Sequence, residues 1–383
     1  MPTDFKNFLS DFKPNTKAEW LKKIEKDLKG RSIEELIWKI GPLSIDPFSH
    51  ADDFAHVPTT ISNPQATNSW EIGEDINVEN KDFKAANQLA LTALMGGSNA
   101  PNFIFETYPT ENQLITLLKN IELDYVSIHF TEKTWNQNPL PFLKNLRKLA
   151  LGNGKNASVL RGSIAYDPFA DGRHDVKKTS ELITWASINL PNFKVITVDS
   201  SAYFKDSEKF FDELVGTLLA VNIYCKKLTG NGLDVNILFN SMQFNFEIGT
   251  SYFIEIAKLR AFKLLWGNLL AAYNVEPSLP TIKANISIKT QTAAVDTNKV
   301  KATTQAMSAV LGGVNVLTIA PSDAVVNKAS DFSRRIARNV QHLLQMESYF
   351  DRVTDPAAGS YYIEKITADL AEMVWEKFQE LAK

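Results

Sequence analysis

The residues able to do chemistry in this chain are few, and none of them forms an obvious constellation. The five histidines are scattered: His50 and His56 near the N-terminus, His129 at the end of a β-rich run, His174 in a loop, and His342 within a helical pattern. No two of them stand at metal-ligand spacing. The single cysteine, Cys225, excludes an intramolecular disulfide and any multi-cysteine metal site. Asp167 and Asp199 follow β-rich runs and could do acid–base work. Asp167 precedes Pro168, however, and a turn-forming role serves it equally well. There is no His-Glu-x-x-His, no Gly-x-Ser-x-Gly and no Gly-x-x-x-x-Gly-Lys-Ser/Thr. Gly152-Asn153-Gly154-Lys155-Asn156-Ala157 matches a dinucleotide fingerprint as a string, but it follows a helix and precedes a strand, the reverse of the order that chemistry needs.

These residues need elements to position them, and from about Phe83 the elements have a rhythm. Short β-rich runs alternate with longer helical patterns, the signature of βα units on a parallel sheet. The predicted strands are Asn102–Glu106, Tyr125–Phe130, Val159–Tyr166, Phe193–Asp199, Val235–Asn240, Thr281–Ser287, Val314–Ile319 and Ser360–Glu364. Predicted helices include Ser207–Leu228, Thr250–Tyr273, Asn298–Leu311, Phe332–Glu347 and Thr367–Ala382. Eight such units in about 300 residues point to a (β/α)8 barrel, class α/β, with the chemistry at the C-terminal ends of the strands.

Residues 1–80 read differently, as a helical and extended arm ahead of a barrel over 81–383. Phe5, Phe8, Leu9 and Phe12 recur at helical spacing, as do Trp20, Leu21, Ile24 and Leu28. Asp46–Gln65 carries three prolines and little periodicity. Aromatic residues on such an arm suit packing on another subunit, or packing on the chain's own barrel.

Composition narrows the function classes. Of 383 residues, 44% are hydrophobic and 22% charged, which is ordinary for a globular protein. The formal net charge of -3 gives no electrostatic case for nucleic acid. The first residues lack an apolar signal core, and no run of ~18 apolar residues occurs. A cytoplasmic location is the expectation.

Four stretches resemble one family. Asp355-Pro356-Ala357-Ala358-Gly359-Ser360-Tyr361-Tyr362-Ile363-Glu364 is similar to the Asp-Pro-x-Gly-Gly-Ser-Tyr-Tyr-Val-Glu signature of methylmalonyl-CoA mutases. Phe253 to Ala261, Thr303 to Gly313, and Phe332 to Asn339 with Gln341 resemble three further blocks in the same order. Trp20 with Leu28-Lys29-Gly30, and Trp70, resemble the family's N-terminal arm. The resemblance implies a (β/α)8 barrel through which coenzyme A threads. It also implies adenosylcobalamin held between the barrel mouth and a separate domain that supplies a cobalt-ligating histidine. Active members interconvert methylmalonyl-CoA and succinyl-CoA by a radical route.

The departures from that pattern matter as much. Where active members carry Tyr-His after the fourth strand, this chain has Tyr203-Phe204, and phenylalanine cannot donate a hydrogen bond to a thioester carbonyl. The third strand's glutamine falls on Ala165. Arg173 is the nearest residue to a missing Arg-Gly-Thr loop, the His-x-Gln of the sixth strand is absent, and Thr59–Trp70 contains no tyrosine. No Asp-x-His-x-x-Gly occurs, so the cobalamin-binding domain is expected to lie outside this chain. The pattern resembles the family's small, or beta, subunit. The expectation is a non-catalytic chain, with no catalytic, cofactor or metal residue of its own, paired with a large, alpha, subunit that holds adenosylcobalamin; a homodimer is one state open to the chain alone, and the sequence does not fix which it takes. Two alternatives are an active mutase barrel whose cobalamin domain is a separate chain, and a pseudoenzyme that retains CoA-ester binding.

Overall fold

The computed structural model describes residues 15–54, 67–134, 138–170, 175–202, 209–286 and 288–383. Eight parallel strands form the sheet: β1 (Glu71–Asn77), β2 (Ala100–Phe105), β3 (Ser127–Glu132), β4 (Arg161–Ala165), β5 (Phe193–Lys194 and Ile196–Asp199), β6 (Met242–Ile248), β7 (Ile282–Ile286) and β8 (Val316–Ile319). A helix follows each: α1 (Phe83–Met95), α2 (Glu111–Leu117), α3 (Leu140–Gly152), α4 (Val176–Asn189), α5 (Phe210–Thr229), α6 (Tyr252–Ala272), α7 (Val295–Leu311) and α8 (Asp331–Met346). A last helix, α9 (Tyr361–Leu381), packs across α5 and α6. This is the expected (β/α)8 barrel.

Closure runs through β5. Its first half pairs with β4, Gly162 opposite Phe193, and its second half pairs with β6, Ile196 opposite Met242. Val195, between the halves, donates its N–H to Ser241 O at 3.0 Å, and Thr197 N donates to Tyr166 O at 3.0 Å. A strand bonded to both neighbours leaves the sheet no free edge. The β4 strand approaches β3 so closely that a Cβ on Gly162 would lie 1.9 Å from Ile128 O, and Gly162 has φ +126°. Only glycine fits there.

Three expectations are corrected. Val235–Asn240 lies in a helix, Val235–Ser241, because Asp234 caps it by accepting from Asn236 N and Ile237 N; the strand comes next, at Met242–Ile248. A short apolar run fits either state until its cap is weighed. Ser360–Glu364 is no strand: Ser360 stands at the N-cap of α9, and Ile363, Ile366, Leu370, Val374 and Phe378 line its buried side at helical spacing. The sheet takes in Glu71–Asn77 as β1, a stretch that the sequence left within its arm.

The described part of the arm folds back on its own chain. Thr16 and Glu19 form a capping box on a helix at Lys17–Leu28. A hairpin, Trp38–Ile40 with Leu43–Ile45, buries Ile40, Leu43 and Ile45 in the barrel's core. Trp20 stacks on Phe48 with ring centroids 4.5 Å apart, and Phe54 lies 5.8 Å from Tyr361 at the start of α9. Phe5, Phe8 and Phe12 lie outside the described residues.

Candidate functional site in the barrel bore

Strand alternation sends every second side chain into the bore. In most such barrels that space is filled by branched apolar residues. Here it is polar. Asp75, Asn102, Thr131, Ser163, Thr197, Asp199, Gln243, Asn245, Lys283 and Asn285 line a cavity of about 180 Å³ toward the C-terminal ends of the strands, with Ala165 among them.

These groups bond largely to one another. Asn102 Nδ2 donates to Asp75 Oδ1 at 2.7 Å, and Thr131 Oγ1 donates to Asn102 Oδ1 at 3.0 Å. Asn285 Nδ2 donates to Asn245 Oδ1 at 2.7 Å, and Asn245 Nδ2 donates to Asp199 Oδ1 at 3.1 Å. Gln243 Nε2 donates to Thr197 Oγ1 at 3.1 Å. Burial pulls the Lys283 ammonium below its ordinary pKa, with Asp75 and Asp199 opposing the shift. About 30 Å³ per water gives room for roughly six waters, and the volume falls short of the ~300 Å³ at which drug-sized ligand pockets begin.

His129 sits inside this bore, on β3. Its Nδ1 lies 2.8 Å from Ser163 Oγ, its Nε2 has no hydrogen-bond partner, and burial holds its pKa well below 6.5. A neutral imidazole results. Asp199 lines the cavity, as its place at a strand end suggested. Asp167 is a structural tie: it accepts from Tyr224 Oη at 2.6 Å and from Asp199 N at 3.2 Å, and burial raises it to about 6. Tyr203, Phe204, Arg173, His174 and His56 lie outside the described residues.

Behind the mouth, between β6, α5 and α6, lies a charged cluster that sequence reading missed. Lys258 Nζ reaches Glu213 Oε2 at 2.8 Å, Glu255 Oε2 at 2.7 Å and Glu247 O at 2.7 Å, with all three side chains of the ion pairs fully buried. Ser200 Oγ stands 2.6 Å from Asn245 O and 2.9 Å from Glu213 Oε1. The one hydroxyl proton is shared between these two acceptors. Burial raises the Glu213 carboxyl to about 7, with Lys258 opposing the shift.

The blocks that resemble the mutase family lie mostly outside the bore. Arg260 binds Asp355 through Nη1, and Glu364 Oε2 through Nη2 at 2.8 Å, which ties α6 to the turn before α9. Arg334 and Arg338 clasp Glu74, on the outer face of β1, at 2.6 and 2.5 Å. Gln341 Oε1 accepts from Trp70 Nε1 at 3.2 Å, and Gln305 Nε2 donates to Ile248 O at 2.7 Å. Each block fastens one part of the barrel wall to another.

Apart from Asp199 and His129, the bore residues went unread because they are single polar side chains inside apolar runs. Gln243-x-Asn245 and Lys283-x-Asn285 carry an alternation that marks an inward face. For β6 that signal was lost when the strand was placed at Val235–Asn240, ahead of its true start at Met242. Among the described residues, no group of three or more His, Cys, Asp or Glu could hold a metal ion, and no helix is long and apolar enough to cross a membrane.

Comparison with known proteins agrees with the scaffold. The profile described as methylmalonyl-CoA mutase matches residues 109–383. The methylmalonyl-CoA mutase small subunit of Porphyromonas gingivalis is 32% identical over 99% of this chain and 64% of its own length. The small subunit of Streptomyces virginiae is 25% identical over 100% of this chain and 66% of its own. The large subunit of Propionibacterium freudenreichii is 30% identical over 70% of this chain and 38% of its own. The chain thus spans about two thirds or less of the length of these relatives. With the profile covering most of the barrel, the chain belongs to the methylmalonyl-CoA mutase family.

Proposed function

We propose that this chain is the non-catalytic small subunit of a heterodimeric methylmalonyl-CoA mutase. The large subunit would interconvert methylmalonyl-CoA and succinyl-CoA, and this chain would stabilise it. The observation that carries the reading is the division of labour among side chains. The charged residues of the family-like blocks fasten helices to strands. The positions where active members place thioester contacts hold Ala165 and Phe204, and neither can hydrogen-bond through its side chain.

Adenosylcobalamin would supply radical chemistry in the large subunit. In the family pattern the cobalt-ligating histidine comes from a domain other than the barrel, so the histidines described here (His129 on Ser163, His342 Nε2 at 3.1 Å from Gly96 O, His50 capping a turn in the arm) are given no part in holding the cobalt.

The test is direct. The purified chain, given adenosylcobalamin and methylmalonyl-CoA, should form no succinyl-CoA above background, and Phe204→His should not change that because Ala165 remains. Measurable turnover by the unmodified chain would overturn the proposal. Mixed with the large subunit, the chain should elute as one complex.

A further inference from the structure

The helical layer has a seam between α3 and α4, which pack less closely on each other than α2 on α3 or α4 on α5. In it lies a groove of about 520 Å³, lined by Lys144, Arg147, Lys148, Leu151, Gly152 and Trp185. Lys144, Arg147 and Lys148 stand at i, i+3 and i+4 of α3, so their side chains share one face. Lys148 is offset by Glu111 at 2.7 Å. Lys144 and Arg147 have no ionic partner among the described residues, and Arg147 Nε is buried without an acceptor. No carboxylate lines the groove. On a chain of net charge -3 this is a local concentration of positive charge. Trp185, half-buried and packed against the core, supplies the aromatic wall.

We propose that this groove binds a purine nucleoside diphosphate, with the base against Trp185 and the phosphates between Lys144 and Arg147. Two cations without an ionic partner among the described residues match the two phosphates, with charge-assisted bonds running from the Lys144 ammonium and the Arg147 guanidinium. The volume exceeds that of a bare phosphate and lies in the range of small-molecule sites. An indole wall rewards a planar base, since stacking on an aromatic side chain is worth ~1–3 kcal/mol. A single groove on a net-negative chain, without a basic stripe, disfavours a nucleic-acid strand. The site is independent of the barrel mouth and of the proposed small-subunit role.

The test is fluorescence anisotropy of N-methylanthraniloyl-ADP with the full chain, at low salt and at about 0.15 M. Saturable binding is expected, weakened about 10-fold by Arg147→Ala, by Lys144→Ala and by Trp185→Leu, as loss of one charged bond or one stacking contact predicts. Trp185→Phe should retain binding, and circular dichroism of each variant separates lost sites from lost folds. ADP should compete better than pyrophosphate or adenosine. Equal competition by coenzyme A would assign the groove to that molecule's nucleotide end, and competition by ADP alone to a free nucleotide. The proposal is overturned by absence of saturable binding at millimolar ADP, by indifference to all three substitutions, by preference for a single-stranded oligonucleotide, or by loss of binding in Lys283→Ala alone.

Discussion

Single residues in this molecule decide stability where charge is buried. Lys258 holds two carboxylates, Glu213 and Glu255, in a region closed to water. Lys258→Met should destabilise the chain by about 3–5 kcal/mol in urea unfolding, the usual cost of leaving buried charge uncompensated. Glu213 gives a pH dependence of known sign. Burial raises its carboxyl from 4.5 to about 7, so the folded state holds the proton more tightly than the unfolded one. Its stabilising effect is complete below pH 4.5 and is lost as pH rises through 7. Glu213→Gln keeps the shape and cannot titrate. Its melting temperature should fall less than that of the wild type between pH 5 and 8, and parallel curves would refute the raised Glu213 pKa. How little of this was readable from sequence has a physical cause: Glu213, Glu255 and Lys258 lie on two helices 45 and 42 positions apart or three along one turn, and only the fold makes them one group. Ala165, which the family resemblance set at the third strand's glutamine position, lies at the cavity wall.

At the scale of elements, Arg260 works as a clamp. It binds both Asp355 and Glu364, and Glu364 Oε1 also accepts from Gly359 N at 3.0 Å. Arg260→Met should strip two largely buried carboxylates of their guanidinium partner, cost about 3 kcal/mol, and raise amide exchange across Tyr361–Leu381 before the rest of the barrel. Uniform exchange would show that apolar packing alone seats α9. The same elements show what sequence could deliver. The strands β2, β3, β7 and β8 and the helices α5 to α8 were found within a few residues, because apolar period and turn residues agreed there. The stretch at Ser360–Glu364 misled because Tyr-Tyr-Ile has high β-propensity, while burial against α6 and the Arg260 clamp hold it helical. The strand β1 was missed since Glu71-x-x-Glu74-Asp75 looks like solvent-facing sequence; Arg334 and Arg338 neutralise Glu74 from outside and Asn102 binds Asp75 from within.

For the whole molecule, the arm and α9 form one unit. Deleting residues 1–40 would remove Trp20 from Phe48 and Ile40 from the core. We therefore expect the truncated chain to melt several degrees lower, as a loss of 1–2 kcal/mol would give in a domain of this size. It should also bind the large subunit less well than the full chain. Co-elution and melting measured on the same samples separate the two effects: lost binding with an unchanged melt would assign the arm to the interface alone, and unchanged co-elution would remove it from the interface.

The interrupted strand β5 has a mechanical consequence. Its ladder with β4 covers only Phe193 and Lys194, with Thr197 Oγ1 donating to Ile164 O at 2.9 Å as a further tie, and its ladder with β6 begins at Ile196, so the pairing changes sides at Val195. An arc of four strands precedes it and an arc of three follows, and the cylinder is a clasp fastened there and at β8–β1. Thermal opening should begin at that fastening. Amides of Val195 and Thr197 should exchange faster than those of β2 and β3, and a chain cut in the turn at Gly230–Gly232, ahead of the helix that leads into β6, should reassemble from its two parts.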